Sequence, residues 1–176
     1  MKAVLISIKP KYCELIASGL KTIELRKTRP KLDVPFKVYI YQTKSKWIYK
    51  ILGWLRLYQG KVIGEYVCDD IDTVAVFNGL LYCVENSQPN KLLQMCLTID
   101  EIKQYLGKKN HGYNWHISEL KIYDKPKELS EFCKPCDPLP GCYCDYCKAH
   151  GGSLNMAILR PPQSWCYVED LSLIHI

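Results

Sequence analysis

Apolar and polar positions alternate in short runs along most of this chain. Residues 1–8, MKAVLISI, read as a strand, and PKYCELIASG follows with Pro10 at a helix start, Leu15 and Ile16 on one apolar side, and Gly19 as the stop. KTIELRK is the next strand and RPKLDVP a proline-punctuated loop. FKVYIYQT sets Phe36, Val38 and Ile40 against Lys37, Tyr39 and Tyr41, the period of a half-buried strand, and KVIGEYVCDDI reads as another. The order so far is β-α-β-β-β.

Between the last two strands, KSKWIYKILGWLRLYQG repeats Trp47, Ile51, Trp54, Leu55 and Tyr58 at helical spacing with Lys44, Lys46, Lys50 and Arg56 between them. Such a basic amphipathic helix either packs on its own domain or lies on a partner, a membrane or a nucleic acid backbone. LTIDEIKQYLG carries a capping box, Thr98 with Glu101 three residues on, and ends at Gly107. YNWHISELKIYD reads as one long strand whose apolar phase slips after Ile117, which predicts a bulge near Ser118. Several strands with short helices around them predict an α+β fold, a small mixed β-barrel without internal repeats.

The chain has 176 residues, enough for one core, with 48% hydrophobic and 24% charged residues, the balance of a folded globular protein. Its net charge of +6 is unevenly placed: residues 1–50 hold 12 Lys/Arg against 3 Asp/Glu, and the rest hold 12 against 15. A basic N-terminal third suits a phosphate-facing surface, or simply a solvated lysine-rich face. The run AVLISI is too short for a secretory signal and nothing approaches the length of a membrane span, so a cytoplasmic protein without membrane contact is expected. In a reducing compartment the ten cysteines point to metal before disulfide.

The stretch GLKTIELRK places Lys21, Glu24 and Arg26 in and beside a short apolar strand. Alternate residues of a strand share a face, so Glu24 and Arg26 point the same way, about 7 Å apart. A carboxylate beside two cations suits a nucleobase, accepting from an exocyclic amine while Arg and Lys donate to carbonyls or phosphate. The alternative is an ion pair on an exposed edge strand, which contributes little.

G-x-K-x-x-E-x-R, as Gly19, Lys21, Glu24 and Arg26, resembles the signature of the ASCH domain, a branch of the PUA-like superfamily. The resemblance continues through KVIGEYVCD, LTIDEIKQYLG and GYNWHISELKIYDKPKELSEF to RPPQSWCYVE, a combination similar to small ASCH-type proteins of bacteriophages with Clostridia-like hosts. It implies a PUA-like mixed barrel with flanking short helices, and RNA or modified-nucleobase binding in a cleft lined by Lys21, Glu24 and Arg26, with Tyr113 or Trp115 stacking on the base. Some relatives it implies are hydrolases. Those that deacetylate N4-acetylcytidine are similar in having Lys at the position of Lys21, but they carry a Thr nucleophile where this chain has Glu24 and a carboxylate where it has Met95 and Cys96. An amidohydrolase here would need Glu24 as general base on water with Lys21 beside it, and a ribonuclease would need His111 and His116 as acid and base. A third expectation is a phage-encoded antagonist of host defence, anti-CRISPR-like, binding a host nuclease or its guide RNA, with Trp47, Lys50 and Trp54 mattering more than Glu24.

Six cysteines fall between residues 133 and 166, four of them in two pairs of the form C-x-x-C: Cys133/Cys136 and Cys144/Cys147. Two thiolates at that spacing converge on one tetrahedral metal, so these four residues are the expected ligands of a structural zinc, with Cys142, Cys166 and His150 as competitors. A loop of free thiols is the alternative. The expected organisation is an ASCH-type body over residues 1–132, then a cysteine-rich segment and closing strand over 133–170. The final LSLIHI back-translates to CTG-TCT-CTT-ATA-CAC-ATC, which resembles a transposon-end sequencing adapter; this predicts a natural end near Glu169 or Asp170 and a metagenome origin. An ordinary alternating strand is the other reading. The sequence leaves ligand identity and oligomeric state open.

Overall fold

The structure, a computed structural model, describes residues 2–45, 58–83, 91–135 and 157–171. The expected helix over residues 44–60 falls largely outside them, as do Cys136, Cys142, Cys144, Cys147, His150 and the tail 172–176. The elements run β1 (Lys2–Ile8), α1 (Pro10–Ala17), β2 (Ile23–Arg26), β3 (Phe36–Gln42), β4 (Val62–Cys68), β5 (Ile71–Phe77), β6 (Leu80–Cys83), α2 (Lys91–Met95), α3 (Ile99–Leu106), β7 (His111–His116), β8 (Ser118–Lys127) and β9 (Trp165–Glu169). The α+β class holds. Among the described residues, however, the strands form two sheets, ordered β8-β4-β3-β1-β9 and β2-β7-β5-β6, and do not close into the expected barrel.

Two expected elements divide. YNWHISELKIYD is not one bulged strand: β7 ends at His116, β8 begins at Ser118, and the two belong to different sheets. The slip in apolar phase marks that change of sheet, and Glu119 beside it has φ +45°. KVIGEYVCDDI likewise ends as a strand at Cys68, and Ile71 opens β5, which turns through Asn78 and Gly79 into β6. Both turn residues have positive φ, as the two-residue hairpin turn requires.

The chain resolves into two compact units: Met1–Pro10, Lys37–Glu65 and Ile122–Ile176 in one, Lys11–Phe36 and Tyr66–Lys121 in the other. In the first, β1 lies between β3, its parallel partner, and antiparallel β9. Every residue from Ala3 to Ile8 is buried, as a central strand with a parallel neighbour demands. Ala3, Leu5, Tyr39, Tyr41, Phe132 and Val168 lead this core. The Tyr39 hydroxyl donates to Asp170 Oδ1 at 2.8 Å and accepts from the Leu171 amide at 2.9 Å, which ties down the chain after β9.

The second unit holds the four-stranded sheet. Along β5, Asp72, Val74 and Val76 are buried while Ile71, Thr73 and Ala75 are half-buried and Phe77 is exposed. The buried face packs Ile23, Leu25, Val74 and Val76 against Met95, Ile102 and Leu106 of α2 and α3. α3 starts at the expected capping box: the Glu101 amide donates to Thr98 Oγ1 at 3.2 Å, and the Thr98 amide donates to Glu101 Oε2 at 2.8 Å. Gly112 on β7 lets α3 approach, because a Cβ there would lie 2.7 Å from Leu106 Cδ2 and 2.9 Å from the Arg26 carbonyl oxygen.

Candidate functional site

The signature residues are assembled by the turn before β2. α1 ends at Ala17, Gly19 takes φ +75°, and the Lys21 amide donates back to the Leu15 carbonyl at 2.9 Å. This reversal sends the Lys21 side chain inward, leaving the residue 2% exposed. Its Nζ lies 3.3 Å from Glu24 Oε2, donates to the Met95 carbonyl at 2.6 Å, and sits 5.3 Å from the centre of the Tyr12 ring. On β2, Arg26 Nη2 is 2.9 Å from Glu24 Oε1. Glu24 is 6% and Arg26 7% exposed, so the pair is buried rather than washed by solvent on an open edge.

Three charges therefore meet, one carboxylate held between two cations. Their neighbours stay neutral: burial, and after it the negative charge of Glu101 and Glu24, raises the Tyr12 phenol. Burial raises the Cys13 thiol and the Tyr66 phenol, with Glu24 adding to both. Burial also raises the Tyr105 phenol, partly offset by the Arg26 guanidinium, to which it is hydrogen-bonded. The formal charge of the joined triad is thus that of Lys21, Glu24 and Arg26 together, +1. The hydroxyl of Tyr66, 1% exposed, has no hydrogen-bond partner among the described residues.

Across the sheet, Glu24 faces Trp115 and Arg26 faces Tyr113. Directly opposed residues share a face, so both aromatics stand on the same side of the sheet as Glu24 and Arg26. Their accessibility differs. Tyr113 is half-buried, while Trp115 is fully buried with its ring 5.8 Å from that of Phe36 at 83°. At Met95, beside which the expected amidohydrolase would need a carboxylate, it is the main-chain carbonyl that meets Lys21.

The opposite face of the same sheet carries a second polar cluster, absent from the sequence reading. Asp72 on β5 stands opposite Asn114 on β7 and accepts from Asn114 Nδ2 at 2.9 Å. Its other oxygen accepts from Lys91 Nζ at 2.7 Å and lies 2.7 Å from His116 Nε2. Burial alone raises the Asp72 carboxyl, but the hydrogen bonds from His116, Lys91 and Asn114 outweigh it and hold the group below the usual carboxylate range. Asp70, Asp72 and His116 offer ligand atoms within 4.8 Å of one another, yet the Lys91 ammonium already occupies Asp72, which disfavours a cation there. The signal for this cluster was in IDTVAVF followed by Asn78-Gly79, an alternating run and a hairpin turn that place Asp72 in a strand.

The remaining expectations separate. His111 is exposed, with Nδ1 2.7 Å from the Lys109 carbonyl, and is not joined to the Asp72 cluster as His116 is. Cys133 forms an isolated antiparallel bridge with Ala157, at the neck of the cysteine-rich segment, and Cys166 lies on β9. Its expected companion ligands Cys136, Cys144 and Cys147, together with Trp47, Lys50 and Trp54, lie outside the described residues. Among the described residues no helix is long and apolar enough to cross a membrane.

Comparison with known proteins bears on this geometry. The family model for the ASCH domain matches residues 6–136. Solved structures of ZmASCH from Zymomonas mobilis share the fold: one is similar over 96% of this chain and 88% of that one, at 18% identity and a TM-score of 0.57. A tyrosine-to-phenylalanine mutant of the same protein is similar over 97% and 92%, also at 18% identity and TM-score 0.57. No curated protein matches the chain.

Proposed function

The chain belongs to the ASCH domain family, and from that premise we propose that it binds RNA by receiving a nucleobase, ordinary or modified, against Lys21, Glu24 and Arg26. ASCH domains are PUA-like domains proposed to bind RNA. What supports the finer reading is the buried carboxylate between two cations, an arrangement that keeps +1 of formal charge away from water. Burying charged groups is costly even when they are paired. An electron-rich ligand edge offsets that cost, and the Tyr66 hydroxyl supplies a further hydrogen-bonding group beside it.

The chemistry is divided among the three side chains. Glu24 accepts from a ring N–H or exocyclic amine, while Arg26 and Lys21 donate to base carbonyls or to phosphate. Tyr113, opposite Arg26 and half-buried, would stack on the base.

Mass spectrometry of what leaves the purified protein on denaturation tests the reading. A recovered nucleotide or short RNA, reduced in Glu24→Gln, is the expected result; protein that neither carries nor takes up any nucleotide counts against it. Incubation with N4-acetylcytidine, followed by chromatography, reads the hydrolytic alternative through conversion to cytidine.

A further inference from the structure

We propose that the open face of β7, β5 and β6 is a stacking platform for single-stranded RNA that continues from the base site at Glu24 and Arg26. The inference rests on the RNA-binding reading above and extends it from one base to a strand.

Register carries the argument. Arg26 is opposite Tyr113, and Tyr113 is opposite Thr73. One row further, His111 is opposite Ala75 and Ala75 opposite Tyr82; beyond them Phe77 is opposite Leu80. Opposed side chains share a face, so these residues lie on one face of the sheet from Arg26 to its far edge. Three strand spacings make it about 14 Å wide, room for more than one base.

The face opens along that path. Beside the triad it is closed by buried Trp115, then Tyr113, Thr73 and Ala75 are half-buried. At the far edge Phe77 is 63%, Leu80 59% and Tyr82 47% exposed. The other face of β5 and β6 turns Val74 and Val76 into the core, so these large side chains are not surplus core residues.

Charge decides the occupant. An exposed Phe, Leu and Tyr alone would suit a protein as well. Here residues 27–32 and 107–113, which flank the same end of the sheet, contain Lys27, Arg29, Lys31, Lys108 and Lys109 and no acid. Lys103 reaches the β5–β6 turn, its Nζ 3.9 Å from where a Gly79 side chain would begin. Aromatic side chains with cations along one rim are what a single strand needs: rings for the bases, ammonium groups for the phosphates.

The test uses the full chain, a fluorescein-labelled single-stranded RNA of about 12 nucleotides, and mononucleotides. The double variant Phe77→Ser/Tyr82→Ser, whose changes are at exposed positions, is expected to bind the oligonucleotide about tenfold more weakly or worse while its melting temperature and mononucleotide binding stay unchanged. RNA carrying 5-iodouridine should crosslink to the β5–β6 hairpin of the unaltered protein. If the double variant binds the oligonucleotide normally while Glu24→Gln does not, the platform is wrong and the base site stands. If binding depends on Phe77 and Tyr82 but not on Glu24, the platform stands and the base site is wrong. An unaltered protein that ignores the oligonucleotide, a duplex that competes equally, or a double variant that loses only a protein partner would each overturn the inference.

Discussion

Arg26 Nη2 lies 2.9 Å from Glu24 Oε1, two positions along one strand, with each side chain only 8% exposed. Lys21 reaches the other oxygen of the same carboxylate. Removing that carboxylate leaves two cations facing each other in a region where water screens poorly. Glu24→Ala is therefore expected to cost about 3–5 kcal/mol of stability, and the double variant Glu24→Ala/Arg26→Met less than the sum of its single changes. Urea unfolding of the four proteins measures this; strictly additive values would show that the ion pair is not coupled.

Asp72 makes stability depend on pH from the other face of the sheet. Its folded carboxyl is depressed by its three donors despite burial, so the native state binds that proton less readily than the unfolded chain. The contribution is present above the ordinary carboxyl value of about 3.9 and is lost as pH falls through the lower folded value. Asp72→Asn also strands the buried Lys91 ammonium, at a cost of about 3–5 kcal/mol near neutrality. Thermal melts of both proteins from neutral to acid pH should show the gap between them narrowing below about pH 4. A gap that stays constant down to the acid limit would dissociate Asp72 from the effect.

These two clusters differ in how far they could be read beforehand. Lys21, Glu24 and Arg26 share one short stretch, and the period of a strand puts Glu24 and Arg26 on one side. Their burial was not legible, because the groups that feel their charge, Tyr12, Tyr66 and Tyr105, come from three separate parts of the chain. Asp72, Lys91, Asn114 and His116 meet only through the pairing of β5 with β7 and the placement of α2. Local pattern gives the face a residue takes, not the strand it will meet. For the same reason the phase slip at Ser118 read as a bulge when it was a passage between sheets. The capping box at Thr98 and the glycine stop after α1 were legible because their partners lie within a few residues.

Two glycines near the site fail differently on substitution. At Gly112 the obstacle is space: the Arg26 carbonyl is main chain and cannot step aside, so Gly112→Ala is expected to cost about 1–3 kcal/mol and to disturb Arg26. At Gly19 nothing lies within 4 Å of a new Cβ, but φ is +75°, and Ala there costs about 1–2 kcal/mol through backbone strain. Leu106→Val removes one of the two close atoms at Gly112. It should recover part of the melting temperature lost in Gly112→Ala and none of that lost in Gly19→Ala; equal recovery in both would refute the distinction.

The cysteine-rich segment leaves and returns through a fixed neck. The Ile158 amide donates to the Phe132 carbonyl at 2.8 Å, Cys133 bridges Ala157, and the Glu169 amide donates to the Cys133 carbonyl at 3.0 Å. Burial, and after it the Glu169 carboxylate, raises the Cys133 thiol, so without a metal it holds its proton at neutral pH. Zinc binds thiolates, and its coordination must displace such protons. A zinc held by Cys133, Cys136, Cys144 and Cys147 therefore predicts about one equivalent by atomic emission, proton release on loading apo protein, and affinity that weakens as pH falls. Cys136→Ser/Cys147→Ser should lose the metal and the stabilisation it confers, leaving the oligonucleotide binding of the four-stranded sheet intact. Protein purified without chelator that contains no zinc, and whose ten cysteines all react freely with a thiol reagent after unfolding, would make this segment a loop of free thiols.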